Sequence, residues 1–145
     1  VDPIDPVLKE VARVLASGGT FAAIVDGEPG TSASYDRLDA LIFEWVAAEC
    51  PGYATCDLGD ARVRRRVEME RLLRTHFPDA TVAFEPSVVR LDSEPSILAR
   101  EAVGFYYASF VLSAEAHARM LDAVEAFFET ERTFEMPIHR LLVRR

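Results

Sequence analysis

One segment, from Asp5 to Gly27, limits the fold more than any other because it joins a helix signature, a glycine stop and an uncharged run. Asp5 favours a helix N-cap, and Pro6 suits the first helical position. Apolar residues then recur at helical spacing at Leu8, Val11, Ala12 and Leu15. Gly18 and Gly19 predict the end of this helix, because glycine accepts the left-handed backbone that a helix C-terminus needs.

The residues from Thr20 to Val25 carry no charge and follow the glycines directly. A short apolar run between turn signals is typical of a strand that is buried on both faces. A helix that leads into such a strand is a unit of a layered α/β sheet. The segment therefore predicts an α/β fold.

The residues from Leu8 to Phe21 closely resemble a segment of the class I S-adenosylmethionine-dependent methyltransferases, the small-molecule "type 11" kind. The matching polar and glycine positions are Glu10, Arg13, Gly18 and Gly19. In that family the segment is the helix before the fifth strand, followed by the strand itself. The resemblance implies that residues 1–145 are the C-terminal portion of a Rossmann-like methyltransferase domain. Its sheet would contain strands five, seven and six in that order, with the seventh antiparallel.

The cofactor loop of that family would lie upstream of Val1, and the sequence contains no Gly-x-Gly-x-x-Gly. The resemblance therefore covers nearly all of this chain but only about half of the enzyme. Since Val1 is not a start residue, we expect a truncated or processed chain. The cofactor that the resemblance implies is S-adenosylmethionine, with its main binding loop outside this chain.

Composition argues against several classes of partner. Half of the 145 residues are hydrophobic, 28% are charged, and the formal net charge is -8. Nucleic acids and anionic membrane surfaces are polyanions, so we expect neither as a partner. No apolar run approaches the ~20 residues of a membrane span. Cys50 and Cys56 have neither zinc nor redox spacing, so we expect reduced thiols in a cytoplasmic protein, although a disulfide stays open.

The turn after the uncharged strand holds the first candidate site residues, Asp26 and Glu28. Ligands of open α/β sheets bind beyond the carboxyl ends of the strands, so this turn is a candidate wall of a substrate or cofactor cleft. The alternative is that Asp26-Gly27 and Pro29-Gly30 only form turns. Further along, Arg62 and Arg64–Arg66 suggest an anion site, but nearby glutamates favour a solvated charged face.

The remaining sheet is predicted from two strands. The residues from Ala80 to Leu91 contain Pro86, which cannot donate to a sheet ladder, so this strand should lie at an edge. The last strand, around Leu141 to Val143, is apolar and fits the middle of the sheet. We therefore predict that the last strand lies between the other two and runs antiparallel to both.

The resemblance implies a helical insertion over residues 93–128 that covers the active site as a lid. Its most aromatic stretch includes Tyr106 and Tyr107, which we predict to contact substrate. Aromatic rings exclude water, and their hydroxyls supply a polar handle for a small organic acceptor. The alternative is that aromatic residues at helical spacing belong to the core.

No catalytic constellation emerges from the sequence. His76, His117 and His139 share no metal spacing, so we predict no metal site, and the catalytic and cofactor-binding residues stay unassigned. A methyltransferase needs no such motif, because the cofactor carries the reactive methyl group. We expect the intact enzyme to methylate a small molecule and the isolated chain to be inactive. The alternative is a non-catalytic binding or dimerisation module that keeps the fold.

The strand Thr20–Val25 also predicts a partner. In the resembled enzyme its second side pairs with the fourth strand, which would lie outside this chain. An unprotected edge recruits other chains. We expect the upstream half of the enzyme, a swapped segment or a second copy of this chain to pair there.

Overall fold

The computed structural model describes residues 3–53 and 60–145 of the chain. Its helices are α1 (Asp5–Val14), α2 (Ala33–Glu49), α3 (Arg66–His76), α4 (Pro95–Phe105) and α5 (Ala114–Glu131). Its strands are β1 (Thr20–Asp26), β2 (Thr81–Asp92) and β3 (Thr133–Arg144), and two short 3₁₀ helices span Ala61–Arg64 and Tyr107–Val111. The chain divides into two compact units. The first unit contains residues 1–31, 57–88 and 137–145, and the second unit contains residues 32–56 and 89–136.

The strands form a three-stranded antiparallel sheet in the order β1-β3-β2. β1 pairs with β3 from Thr20 opposite Arg144 to Asp26 opposite Ile138. The predicted order is confirmed, since the last strand of the chain lies between the other two. An α/β fold is therefore present, in which the central strand is the most buried one.

β2 lies at an edge of the sheet, which confirms the position predicted from Pro86. A proline in a central strand would leave a ladder hydrogen bond unmade, whereas an edge strand loses nothing on its outer side. Within the first unit, Arg140 of β3 forms an ion pair with Glu85 of β2, with an N···O distance of 3.0 Å. The strand runs through Pro86 without a break.

The first unit contains α1, β1, α3, the 3₁₀ helix Ala61–Arg64 and most of β2 and β3. Apolar side chains of α1 and α3 pack with inward-facing side chains of the strands. Their buried cluster consists of Ile4, Leu8, Met69, Leu72, Leu73, Phe77, Phe84, Leu141 and Val143. The predicted end of α1 at Gly18 and Gly19 was wrong, because α1 ends at Val14 and its C-cap residue, Leu15, is extended, whereas Gly18, with a φ of 75°, lies in the turn between α1 and β1.

β1 is not buried on both faces, so this expectation was wrong. Phe21, Ala23 and Val25 are half-buried against the cluster, whereas the alternate residues are exposed. Ile24 is 69% exposed. The reason is that α1 and α3 pack against the face of Phe21 and Val25, and nothing in the described parts of the chain covers Ile24.

The start of α1 also differs from the prediction. Ile4 is the N-cap residue, and Asp5 lies in the first helical turn. The Asp5 carboxylate instead accepts hydrogen bonds from His76 at 3.1 Å and Arg62 at 2.5 Å. Both hydrogen bonds lower the pKa of Asp5, and the bond from His76 has the larger effect. A long-range ion-pair network therefore replaces the local cap.

The second unit contains α2, α4 and α5, with the 3₁₀ helix Tyr107–Val111 and the ends of β2 and β3. Ser32 caps α2, and its hydroxyl accepts from the amide of Tyr35 at 3.2 Å. Ser113 caps α5 in the same way, with its hydroxyl accepting from the amide of Ala116 at 3.2 Å. The unit is centred on buried residues that include Leu38, Ile42, Val46, Leu98, Ala102, Met120, Val124 and Phe128.

The predicted insertion at residues 93–128 lies in this unit, where α4 and α5 pack against each other and α5 packs against α2. These segments bury apolar side chains on the inner side and leave charges on the outer side, as amphipathic helices do. Across residues 3–53 and 60–145, no helix is both long and apolar enough to cross a bilayer.

Candidate functional site

The carboxyl end of β1 is held tightly against β3. Asp26 is the last residue of the strand and is exposed. The amide of Gly27 donates to the carbonyl of Pro137 at 3.0 Å. A Cβ atom at Gly27 would lie only 2.6 Å from the Cβ of Pro137. The turn that follows β1 is therefore fixed by a close backbone approach that only glycine permits.

Glu28 leaves this turn and caps a helix. Its Oε1 accepts a hydrogen bond from the amide of Arg66, the first residue of α3, at 3.0 Å. The local N-cap residue, Arg65, makes no such bond. A carboxylate at a helix N-terminus satisfies an otherwise unpaired amide and complements the helix dipole. Glu28 thus has a structural partner, and its predicted contact with substrate stays a prediction.

His139 lies in β3 in the same unit and was not singled out by the sequence. His139 is only 5% exposed, and neither nitrogen of its ring has a hydrogen-bond partner among the described residues. Its ring contacts Phe84, with ring centroids 4.7 Å apart. Burial lowers the pKa of His139, while Glu28 raises it and Arg66 lowers it further. A buried polar group without a partner is uncommon in proteins and marks a candidate functional position.

Tyr106 is the predicted substrate residue that the structure describes in the second unit. Its ring stacks on Tyr35 at 6.2 Å and meets the edge of Phe43 at 6.4 Å between centroids. The buried hydroxyl has no hydrogen-bond partner of good geometry in the described part of the chain. Burial, with Tyr35 and Asp39 nearby, raises the pKa of Tyr106 far above its ordinary value. The side chain of Tyr107 lies outside the described residues.

Asp39 brings a carboxyl group to this aromatic cluster of Tyr35, Phe43 and Tyr106. Burial raises the pKa of the Asp39 carboxyl. An interaction with the Tyr106 hydroxyl offsets part of this rise, and the nearby charge of Asp36 adds to it. A carboxylate that is costly to ionise and faces a phenol can take up and release protons. We therefore name Tyr35, Asp39 and Tyr106 the tyrosine–aspartate cluster. Tyr35 and Asp39 lie four positions apart on α2, which the sequence shows, but no motif distinguishes this pair from other residues at the same spacing.

Replacing Asp39 by Asn should stabilise the protein at neutral pH. A carboxyl whose pKa is raised in the folded state favours folding only below its unfolded pKa, near 3.8. That contribution is lost as the pH rises, so the ionised carboxylate costs stability at pH 7. Asp39→Asn should raise the urea midpoint at pH 7, and the gain should vanish towards pH 4.

The matched control for this substitution is Asp122→Asn, which removes the same charge from an exposed position on α5. We expect it to leave the urea midpoint unchanged at both pH values. An Asp39→Asn midpoint equal to or below the wild-type midpoint at pH 7 would contradict the proposed cost.

The solvated charged face that the nearby glutamates favoured for the arginine run fits Arg62 and Arg66, and nothing indicates an anion site at these two residues. Arg62 pairs with Asp60 and Asp5, and Arg66 pairs with Glu70, so carboxylates of the chain neutralise both guanidinium groups. Among the residues that the structure describes, no group of three potential metal ligands occurs. An open depression of about 400 Å³ lies along α3, apart from both clusters of site residues.

The candidate residues thus fall into two sets. Asp26, Glu28 and His139 belong to the first unit, and Tyr35, Asp39 and Tyr106 belong to the second. The first set lies at a strand end and the second lies between two helices, which are both common positions for ligand sites. No model of a known protein family matches the sequence, and no curated protein matches it at a significant level.

Proposed function

We propose that this chain is the C-terminal part of a methyltransferase that transfers a methyl group from S-adenosylmethionine to a small molecule. One observation carries the proposal: β3 follows every other element yet lies between β1 and β2, antiparallel to β1. This is the arrangement that the resemblance of residues 8–21 implies for strands five, seven and six of a Rossmann-like sheet. Sequence and strand order are separate observations, and they agree.

Each predicted site residue has a role in this proposal. The turn of Asp26 and Glu28 forms a wall on the substrate side, beyond the carboxyl end of β1. Tyr106 and Tyr107 lie in the helical segment 93–128, the lid that the resemblance implies. Asp39, beside Tyr106, accepts the proton that an oxygen or nitrogen nucleophile releases. The cofactor supplies the reactive methyl group, and the protein binds and orients the acceptor.

Binding of S-adenosylmethionine tests this proposal. The main cofactor loop lies outside this chain, so titration calorimetry of the isolated chain should detect no binding at about 100 μM ligand. The chain joined to the sequence that precedes it in its parent protein should bind S-adenosylmethionine with a Kd of about 1 μM, which is a binding free energy of about -8 kcal/mol. Micromolar binding by the isolated chain would contradict the division of roles, and no binding by the joined protein would contradict the function.

The second candidate function is a non-catalytic binding or dimerisation module. The exposure of Ile24 beside the free side of β1 favours it. Under this alternative, the protein joined to its preceding sequence has no affinity for S-adenosylmethionine, and the isolated chain has a folded partner or is a dimer. Calorimetry of the joined protein with S-adenosylmethionine therefore distinguishes the two candidates.

A further inference from the structure

β1 has a free hydrogen-bonding edge. It pairs with β3 on one side, and no other strand of the described residues pairs with it. The amide of Gly27 donates to the carbonyl of Pro137, and the amide of Arg145 donates to the carbonyl of Gly19. These two hydrogen bonds show which residues of β1 direct their backbone groups towards β3. Odd-numbered residues of β1 therefore bond to β3, and the amides and carbonyls of Thr20, Ala22, Ile24 and Asp26 point to the free edge.

This edge lacks the features that protect edge strands. β1 has no charge before Asp26, no proline and no bulge in its pairing with β3. The outer strand on the opposite side of the sheet differs, because β2 contains Pro86 with Glu85 and Arg90. The 3₁₀ helix Ala61–Arg64 lies near β1, where Val63 packs with the apolar cluster on the helix-covered face. One edge of the sheet is protected by its sequence, and the other is open to pairing.

We propose that a second copy of this chain pairs with β1 along this edge, antiparallel and about a twofold axis at Ala23. Only even-numbered residues present free backbone groups, so they must pair with even-numbered residues of the partner. Among such registers, the one centred on Ala23 pairs all of Thr20–Asp26 with itself. Ala22 then exchanges hydrogen bonds with the partner's Ile24, and Ile24 with the partner's Ala22.

The side chains match in this register on both faces of the sheet. Ile24 covers the partner's Ala22 on the exposed face, and Phe21 lies opposite the partner's Val25 on the helix-covered face. The one charge of β1, Asp26, faces the partner's Thr20 and not a second carboxylate. The two Asp26 side chains lie at opposite ends of the paired strands, about 20 Å apart at ~3.4 Å per residue. A strand that matches itself in this way favours an isologous dimer.

The dimer closes and does not extend into a filament. Pairing of the two β1 strands gives a six-stranded sheet, β2-β3-β1 followed by the partner's β1-β3-β2. Its two outer edges are then both β2, which Pro86 and charged residues protect. The inference concerns the isolated chain and does not rest on the methyltransferase proposal, under which the fourth strand of the parent protein would pair with the same edge.

Solution mass measured by light scattering after size exclusion tests the dimer. At about 100 μM the 16.1 kDa chain should give twice its monomer mass and should dissociate on dilution, since a short edge buries less than a standard interface. Ile24→Lys should keep the chain monomeric at the same concentration, because it places a charge opposite the partner's Ala22. Val14→Lys, at a 60% exposed position of α1, adds the same charge elsewhere and should leave the dimer intact.

A second measurement covers the case in which Ile24→Lys fails to fold, as judged by circular dichroism. Ala23→Cys, in a chain with Cys50→Ser and Cys56→Ser, places two thiols on the twofold axis in a non-hydrogen-bonded pair, with Cα atoms about 4.5 Å apart. Mild oxidation should give a disulfide-linked dimer, and Val14→Cys in the same background should not. A monomer at every concentration, an Ile24→Lys dimer or a failure of Ala23→Cys to crosslink would overturn the proposal.

Discussion

Leu73→Ala is expected to lower the free energy of unfolding by about 3–5 kcal/mol. Leu73 is fully buried in α3, within the apolar cluster of the first unit. Truncation removes apolar contacts and leaves a cavity that the surrounding α1 and β3 side chains fill only in part. Urea unfolding followed by circular dichroism measures the change, and a loss below about 1 kcal/mol would mean that this cluster is not the core of the unit.

Val67→Ala is the matched control, because Val67 lies on the same helix and is 74% exposed. Its replacement removes little buried area, and alanine has the higher helix propensity. We expect a change within about 0.5 kcal/mol in either direction. A large effect at Val67 would point to a general loss of α3 and not to a cavity at Leu73.

Gly27→Ala is expected to cost about 3 kcal/mol, the upper part of the range for overpacking. The added Cβ would lie 2.6–2.9 Å from the Cβ, carbonyl carbon and carbonyl oxygen of Pro137. Two of these are backbone atoms, which cannot move without breaking the hydrogen bond between Gly27 and Pro137. The same urea experiment measures the loss, and an unchanged midpoint would show that the turn does not approach β3 so closely.

Gly104→Ala provides the comparison for the glycine substitution. A Cβ at Gly104 would meet no atom within 4 Å, and the residue lies inside α4. Alanine is the better helix former, so we expect no loss and a gain of up to about 1 kcal/mol. The opposite signs at Gly27 and Gly104 would separate the close approach of the backbone from a general effect of added volume.

The strand order could be predicted because each argument used a property that any sheet imposes. Pro86 cannot donate to a central ladder, so its strand was placed at an edge. The central strand β3 also contains a proline, Pro137, which lies opposite Gly27 just beyond the end of β1. The residues from Leu141 to Val143 include no charge or proline that would protect an edge, which suits a strand paired on both sides.

The errors arose where the answer depends on distant parts of the chain. An uncharged run such as Thr20–Val25 is compatible with burial on two faces or on one, and only the number of covering helices decides. Asp5 has the properties of a cap, yet Arg62 and His76 attract its carboxylate from far along the sequence. Local patterns contain no information about such long-range partners.

The sequence nominated part of the candidate site. Asp26 and Glu28 were proposed from their position after a strand, which needs no knowledge of the fold beyond the strand itself, and their contact with substrate stays a prediction. Asp39 and His139 were missed because single polar residues in amphipathic elements are common. A polar residue on the inward-facing side of β3, in phase with Leu141 and Val143, was the available signal for His139.

The central position of β3 also determines when the sheet can form during protein synthesis. β1 and β2 do not pair with each other, so both wait for a strand that leaves the ribosome after every other element of the chain. Until then the uncharged residues of β1 are exposed on both edges, under conditions in which nascent chains aggregate readily. Formation of the sheet therefore requires that all of these elements have been synthesised, and it depends on contacts between residues more than a hundred positions apart, such as Phe21 and Val143, which slows folding.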